Sequence, residues 1–139
     1  MSRKLGLFRL ANYGYAVPLE RLLRVVECGF CATLPLAPDG MAGMLVFDEE
    51  IIPLLDSNWL PGVDDGKGLN AGFKVLIATE YGPVALPADT PVGIVAESRC
   101  ERVASEQEAA GFFPDSVHYR DNCYRVLNTD VFMLSLIRP

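Results

Sequence analysis

The chain carries the stretch PLERLLRVV at residues 18–26 and a second version of it, PADTPVGIV, at residues 87–95. Both versions begin with a proline, place an acidic residue two positions later, and continue with apolar residues at one spacing. These apolar residues are Leu23, Val25 and Val26 in the first version and Val92, Ile94 and Val95 in the second. Such self-similarity is typical of a duplicated structural unit. We therefore expect two copies of one β unit, with Pro18 equivalent to Pro87.

Short apolar segments alternate with turn residues along both halves of the chain. Turn residues occur at 12–14, 38–40, 64–66, 81–83 and 120–122. The segments between them are rich in Val, Leu and Ile, which is typical of β-strands. They predict strands at 5–10, 15–18, 23–27, 44–47, 51–55, 74–79, 84–87, 92–96, 116–119 and 124–127. Helix is expected only in short pieces, at 19–22, 57–60, 105–110 and 130–136. The pattern predicts an all-β chain in which Asp56 and Asp130 close equivalent strands.

The length of 139 residues and a hydrophobic share of 50% suit one compact domain. A half of about 65 residues buries too little surface alone, so the halves should share a core. We expect a first barrel over about 15–60, an exposed connection over 61–72 and a second barrel over about 73–130. The segments 5–14 and 130–137 should pack across the two barrels.

Alternation along the strands predicts which side chains are buried. The expected core residues are Leu23, Val25, Leu45, Phe47, Ile52, Leu54, Val75, Ile77, Val92, Ile94, Val126 and Leu134. Truncation of Leu54 or Ile94 to alanine should therefore cost roughly 2 to 5 kcal/mol, as large-to-small core changes do.

The charge pattern limits the classes of partner. The formal net charge is -6, and the sequence has no cluster of Lys or Arg. Nucleic acids and anionic membrane surfaces attract local positive charge, so neither is an expected partner. The longest apolar runs, 41–47 and 131–137, are far shorter than a bilayer span, and Met-Ser-Arg-Lys at the start precedes no long apolar secretory core. We expect a cytoplasmic protein that does not insert into a membrane.

Residues for catalysis or metal binding are few. His118 is the only imidazole, and no nucleophile motif surrounds it. Cys28 and Cys31 have the CxxC spacing that lets two thiolates hold one metal or form a disulfide. Cys100 and Cys123 do not make a second such pair. We expect no catalytic residue, no metal and no cofactor; the alternative is a metal- or redox-responsive β-barrel that uses Cys28 and Cys31.

Three pieces of the first half resemble the CheW-like chemotaxis coupling domain. They are LPLAP at 34–38, Gly43, and IIPLLD at 51–56, in the order and spacing of that family. The resemblance extends from about Leu5 to Ile137 and includes strands that lead into Asp89 and end at Asp130. It implies two five-stranded SH3-like β-barrels sharing a core, with little helix. It also implies a stand-alone, non-catalytic adaptor that couples a chemoreceptor tip to the regulatory domain of a CheA-type histidine kinase.

Family members of this kind bind partners through an apolar groove. By resemblance we expect that partner-binding groove at Arg24, Val26, Leu45, Phe47, Asp48 and Glu49. The family usually reads GVINLRG after the first signature, whereas this chain reads GMLVFDE at 43–49. Asp48 thus reverses the charge of an arginine, and Glu49 replaces a residue that tolerates positive φ.

A second exchange accompanies the first. Arg24 stands where the family usually has a glutamate before Val25. Our hypothesis is that Arg24 and Asp48 form an ion pair of reversed polarity, within about 4 Å, at the edge of the groove. The alternative is an unpaired, exposed Arg24 and an Asp48 at the tip of a hairpin. Such a reversal should repel the family's ordinary partners and shift the preference of this member.

Overall fold

The computed structural model describes residues 3–10, 13–27, 31–32, 41–55, 72–104, 115–128 and 130. These residues form twelve strands, and ten of them correspond to the strands expected from the sequence. The strands are β1 (Lys4–Leu10), β2 (Tyr13–Pro18), β3 (Leu22–Glu27), β4 (Cys31–Ala32), β5 (Met41–Phe47), β6 (Glu50–Leu55), β7 (Phe73–Thr79), β8 (Gly82–Ala88), β9 (Gly93–Ala96), β10 (Glu101–Ala104), β11 (Asp115–Tyr119) and β12 (Asn122–Val126). A 3-10 turn at Leu19–Arg21 confirms the short helical piece expected there, and a second at Glu97–Arg99 was not expected. The helical segments expected at 57–60 and 105–110, and nearly all of 130–136, lie outside the described residues.

Two sheets of the same pattern make up the fold. The first sheet has the order β10-β11-β12-β2-β1-β9, and the second, from its other end, has the order β4-β5-β6-β8-β7-β3. Neighbouring strands are antiparallel except at one central junction in each sheet, where β12 runs parallel to β2 and β6 runs parallel to β8. The all-β expectation of two barrel-like units is confirmed. Each unit gains one short end strand, β4 or β10, which the sequence pattern did not predict.

The two sheets do not coincide with consecutive halves of the chain. The β1–β2 hairpin lies in a sheet with β9 to β12, while β7 and β8 lie in a sheet with β3 to β6. The expected division into barrels at about 15–60 and 73–130 is therefore wrong at the level of strand pairing. The physical reason is that both hairpins are apolar on both faces, so each needs cover on two sides. Of the expected connection at 61–72 the structure describes residue 72 alone, and of the expected segment at 130–137 it describes Asp130 alone.

Strand register confirms the duplication. The β1–β2 hairpin pairs Leu5 with Pro18, and the β7–β8 hairpin pairs Lys74 with Pro87. The same shift along the sequence relates both members of these pairs, so the two prolines occupy equivalent places. Asp56 lies outside the described residues, and its expected equivalence with Asp130 stays a prediction.

Three apolar clusters form among the residues that the structure describes. The largest lies between the sheets and includes Phe8 and Tyr15 from the first sheet and Val75 and Leu86 from the second. The second cluster lies on the other face of the first sheet. The third cluster, around Leu45, lies on the other face of the second sheet. Odd and even positions of the central hairpins point into different clusters, as strand geometry requires. The expected shared core is thus present.

Six of the twelve expected core positions are confirmed. Leu45, Ile52, Leu54, Val75, Ile77 and Val126 are all buried. Val25, Phe47 and Val92 are half-buried, and Leu134 lies outside the described residues. The predictions for Leu23 and Ile94 are wrong, because these side chains are 55% and 57% exposed. A break in the β3–β7 register between Leu22 and Arg24 lets Leu22, rather than Leu23, pack on the shared core, and Ile94 lies on the end strand β9.

Candidate partner-binding groove

A groove of about 550 Å³ opens on the second sheet. Its walls come from β3, from the β5–β6 hairpin and from the β7–β8 hairpin. Ile52 and Leu76 are buried residues of its lining, and Leu23 contributes an exposed apolar side chain at its margin. A concave surface with an apolar floor and a few polar groups is the usual form of a binding site.

Half of the six residues expected at the groove line it. Arg24, Phe47 and Asp48 do so. Leu45 is fully buried in the cluster beneath, and Val26 packs against the same cluster, so both support the groove from inside. Glu49 is exposed on the β5–β6 turn and is not part of the lining.

The expected ion pair between Arg24 and Asp48 is absent from the described part of the chain. The Arg24 guanidinium instead lies over the ring of Phe47, with its carbon 4.9 Å from the ring centroid. This distance is within the range of a cation–π interaction. The prediction fails because β3 pairs with β7 and not with the strand that leads into Asp48.

The β5–β6 turn has an unusual backbone for its sequence. Asp48 and Glu49 both have positive φ, of 49° and 65°. Two consecutive residues of positive φ match a two-residue type I′ hairpin turn, which glycine and asparagine favour. The equivalent turn between β11 and β12 has the same form, with Arg120 at 49° and Asp121 at 66°. Glu49 therefore does occupy a positive-φ position, as the comparison with the family pattern indicated.

The opposite edge of the groove is the β7–β8 turn, which is held by specific hydrogen bonds. The Thr79 hydroxyl donates to the carbonyl of Gly82 at 2.6 Å. Asp130 accepts a hydrogen bond from the backbone N–H of Glu80 at 2.9 Å and pairs with Arg21 at 3.3 Å. These contacts fix one wall of the groove before any partner arrives.

The groove residues on β7 and β8 were not predicted from the sequence. They are Leu76, Ala78, Thr79, Gly82 and Pro83. No local signal assigns this hairpin to the sheet of the first half. The only available signal was the continuous apolar character of β7 and β8, which marks strands buried on both faces and hence central ones.

A smaller cavity of about 290 Å³ lies at the equivalent place on the first sheet. Register relates its lining to that of the groove: Leu7 corresponds to Leu76, Arg9 to Ala78, Gly93 to Arg24, Tyr119 to Phe47 and Tyr124 to Ile52. Five of the nine residues that line this cavity therefore occupy positions equivalent to lining residues of the groove, and they carry different side chains. We call the smaller cavity the second groove.

The model of one protein family, described as the CheW-like domain, matches residues 4–132. The chain belongs to the CheW-like domain family. This is a family of non-catalytic scaffolds in chemotaxis signalling. A search of curated protein sequences finds no match to the chain.

A solved structure supports the fold of this CheW-like domain. The crystal structure of the scaffolding protein TtCheW from Thermoanaerobacter tengcongensis aligns with a TM-score of 0.75 at 18% sequence identity. The alignment covers 94% of this chain and 91% of that one. At this identity the likeness shows a shared fold, which is the fold that the resemblance implied.

The described residues of this CheW-like domain give the metal or redox alternative no support. No three His, Cys, Asp or Glu side chains among them come together to hold a metal ion. Burial raises the pKa of the Cys100 thiol, and the nearby Glu97 carboxylate acts in the same direction, which disfavours the reactive thiolate. Cys28 lies outside the described residues and only the strand position of Cys31 is described, so that hypothesis stays a prediction. No helix in the described ranges is long and apolar enough to cross a membrane.

Proposed function

We propose that this CheW-like domain is a non-catalytic adaptor of the cytoplasm that couples a chemoreceptor to a CheA-type histidine kinase. The observation that carries the proposal is the pair of equivalent grooves on one shared core. An adaptor has to present two separate surfaces in a fixed relation. Two grooves at equivalent places in the fold, with different side chains, meet this requirement.

The larger groove, lined by Arg24, Phe47 and Asp48, is called the first groove, and it has the features of an interaction hot spot. Phe47 and Arg24 belong to residue types that are prominent in protein interfaces, and here they lie against one another in a groove that buried Ile52 also lines. The side chains are positioned before binding, which lowers the entropy cost of ordering an interface. We propose that one of the two partners inserts an apolar segment here.

The benefit of coupling follows from effective concentration. When one protein holds two others, the second encounter becomes intramolecular, with effective concentrations of about millimolar for short connections. No chemical step is required of the adaptor itself. The receptor can then influence the kinase because the two are held together in one assembly.

The test is reconstitution of a ternary complex. Receptor-containing vesicles are sedimented with CheA in the presence and absence of this protein, and kinase in the pellet and its autophosphorylation rate are measured. We expect kinase to sediment only when the protein is present. Phe47→Ala should weaken recruitment, and Tyr119→Ala is the matched variant at the equivalent position of the second groove. Sedimentation of CheA that does not depend on the protein would contradict the proposal.

A further inference from the structure

The carboxylates at the mouth of the first groove have a consequence for its partner. Asp48, Glu49 and Glu50 follow one another on the β5–β6 turn and are all exposed. Asp48 and Glu50 line the groove directly. Within the described ranges, the ion pairs involve other residues and none of these three. The charges of Asp48 and Glu50 can therefore act on whatever enters the groove.

The cation of the same groove does not cancel this charge. The Arg24 guanidinium packs against the face of the Phe47 ring, on the wall formed by β3 and β5. The lining thus contains two carboxylates against one guanidinium, and Glu49 adds a third carboxylate next to them. A partner segment would meet an apolar floor bordered by net negative charge.

The second groove shows that the fold does not require this charge. Its turn has the same pair of positive-φ residues but carries Arg120, Asp121 and Asn122, with no net charge. Its lining contains Arg9 and two tyrosines, and the positions equivalent to Glu50, Gly82 and Pro83 line a neighbouring cavity in which Arg125 accompanies Asp121. One backbone geometry therefore carries an acidic rim in one copy and a cationic, aromatic lining in the other. The acidic rim belongs to the first groove and not to the turn type.

We propose that the first groove selects a partner segment that combines apolar side chains with lysine or arginine. This inference rests on the proposed function, because it names the charge of the partner that inserts there. The apolar side chains would cover Leu23, which is 55% exposed, and half-buried Phe47, and the cation would meet the carboxylates of the turn. Charges at a rim act mainly on specificity and association rate, so the acidic turn also excludes acidic segments.

The test uses two labelled amphipathic peptides with one leucine pattern, one with lysine on its polar face and the other with glutamate. Fluorescence anisotropy measures the binding of each peptide to the whole chain. We expect the lysine peptide to bind at least tenfold more tightly at low salt. The preference should shrink between about 0.02 M and 0.5 M salt, because screening shortens the range of these charges.

Variants show whether the preference for the lysine peptide arises from the carboxylates of the groove or from the net charge of the chain. The variant D48N/E49Q/E50Q should lose about tenfold in affinity for the lysine peptide, and the same peptide should bind weakly to Phe47→Ala. The matched control E20Q/E27Q/E101Q removes the same total charge from exposed sites outside both grooves and should keep most of the affinity. Equal binding of the two peptides, or equal losses in the two triple variants, would overturn the inference.

The D48N/E49Q/E50Q variant is also tested in the ternary reconstitution, alongside the wild type. Ternary assembly by the wild type without any peptide preference would refute the charge inference and leave the adaptor proposal standing. A clear lysine preference without ternary assembly would refute the adaptor proposal and leave the charge inference standing.

Discussion

Among the described glycines, Gly14 is the one that the backbone of a neighbouring strand approaches most closely. It lies on β2, where β12 pairs in parallel and places Tyr124 opposite Gly14. A Cβ built at this position would be 2.6 Å from the carbonyl oxygen of Cys123 and 2.7 Å from Cδ1 of Tyr124. An ordinary carbon contact is roughly 3.5 Å, so β12 would have to move away by almost 1 Å in the variant Gly14→Ala. The oxygen belongs to the backbone, and the strand can move only by weakening its pairing with β2.

The expected cost follows from opposing effects. Overpacking typically costs about 1–3 kcal/mol, and each weakened ladder hydrogen bond adds about 1 kcal/mol. The lower entropy of the unfolded chain returns only about 0.4–1 kcal/mol on changing glycine to alanine. We expect Gly14→Ala to lower the free energy of unfolding by about 2 kcal/mol, which is a fall in Tm of about 8 °C for a chain of this size.

The assay is urea unfolding followed by circular dichroism, with Gly93→Ala as the matched control. Gly93 also lies on a strand of the first sheet, but a Cβ there meets no atom within 4 Å. The control should leave the unfolding free energy unchanged or raise it slightly. If Gly14→Ala is as stable as Gly93→Ala, the parallel junction between β2 and β12 does not have the described geometry.

Three further predictions concern the core, the turn and high pH. Leu54→Ala should lower the free energy of unfolding by about 2–5 kcal/mol because the side chain is fully buried. Ile94→Ala should lower it by less than about 1 kcal/mol because Ile94 is 57% exposed. Similar losses for the two variants in denaturant melts would show that the burial is misassigned. Glu49→Gly should raise the unfolding free energy by about 1 kcal/mol by relieving a φ of 65°, and a destabilised variant in the same melts would count against the turn conformation. Burial raises the pKa of Tyr15, so above about pH 10 the unfolded chain loses this proton while the folded chain keeps it. The free energy of unfolding should therefore fall as the pH rises above about 10, and it should fall less in Tyr15→Phe. Identical pH profiles of melting for the two proteins would refute this.

Local patterns predicted the strands well because each strand carries its own evidence. The repeat around Pro18 and Pro87 predicted equivalent places that the register confirms, since a duplicated sequence preserves pairing as well as burial. The core around Leu45 and Leu54 followed from simple alternation on strands with one face inside a barrel. The family resemblance, carried by short motifs, is confirmed by the family match.

Long-range pairing could not be predicted from local patterns. Nothing near Leu76 indicates that its hairpin joins the sheet of the first half, and this exchange decides which residues line the groove. The register break before Arg24 likewise changes which face of β3 is exposed, and a one-residue shift in a strand inverts every side chain. The expected pair of Arg24 with Asp48 failed for the same reason, because it assumed neighbouring strands.

The most direct test of the account is a footprint of the bound partner by hydrogen–deuterium exchange. Exchange is measured on the free chain and on the chain within the complex with receptor and CheA, using the Phe47→Ala variant to mark the loss of binding. We predict that binding slows exchange in the β5–β6 turn at 47–50 and in the β7–β8 turn at 79–83, the two edges of the first groove. Unchanged exchange in both turns, with protection confined to other surfaces of a fully bound chain, would contradict the assignment of this groove as the binding site.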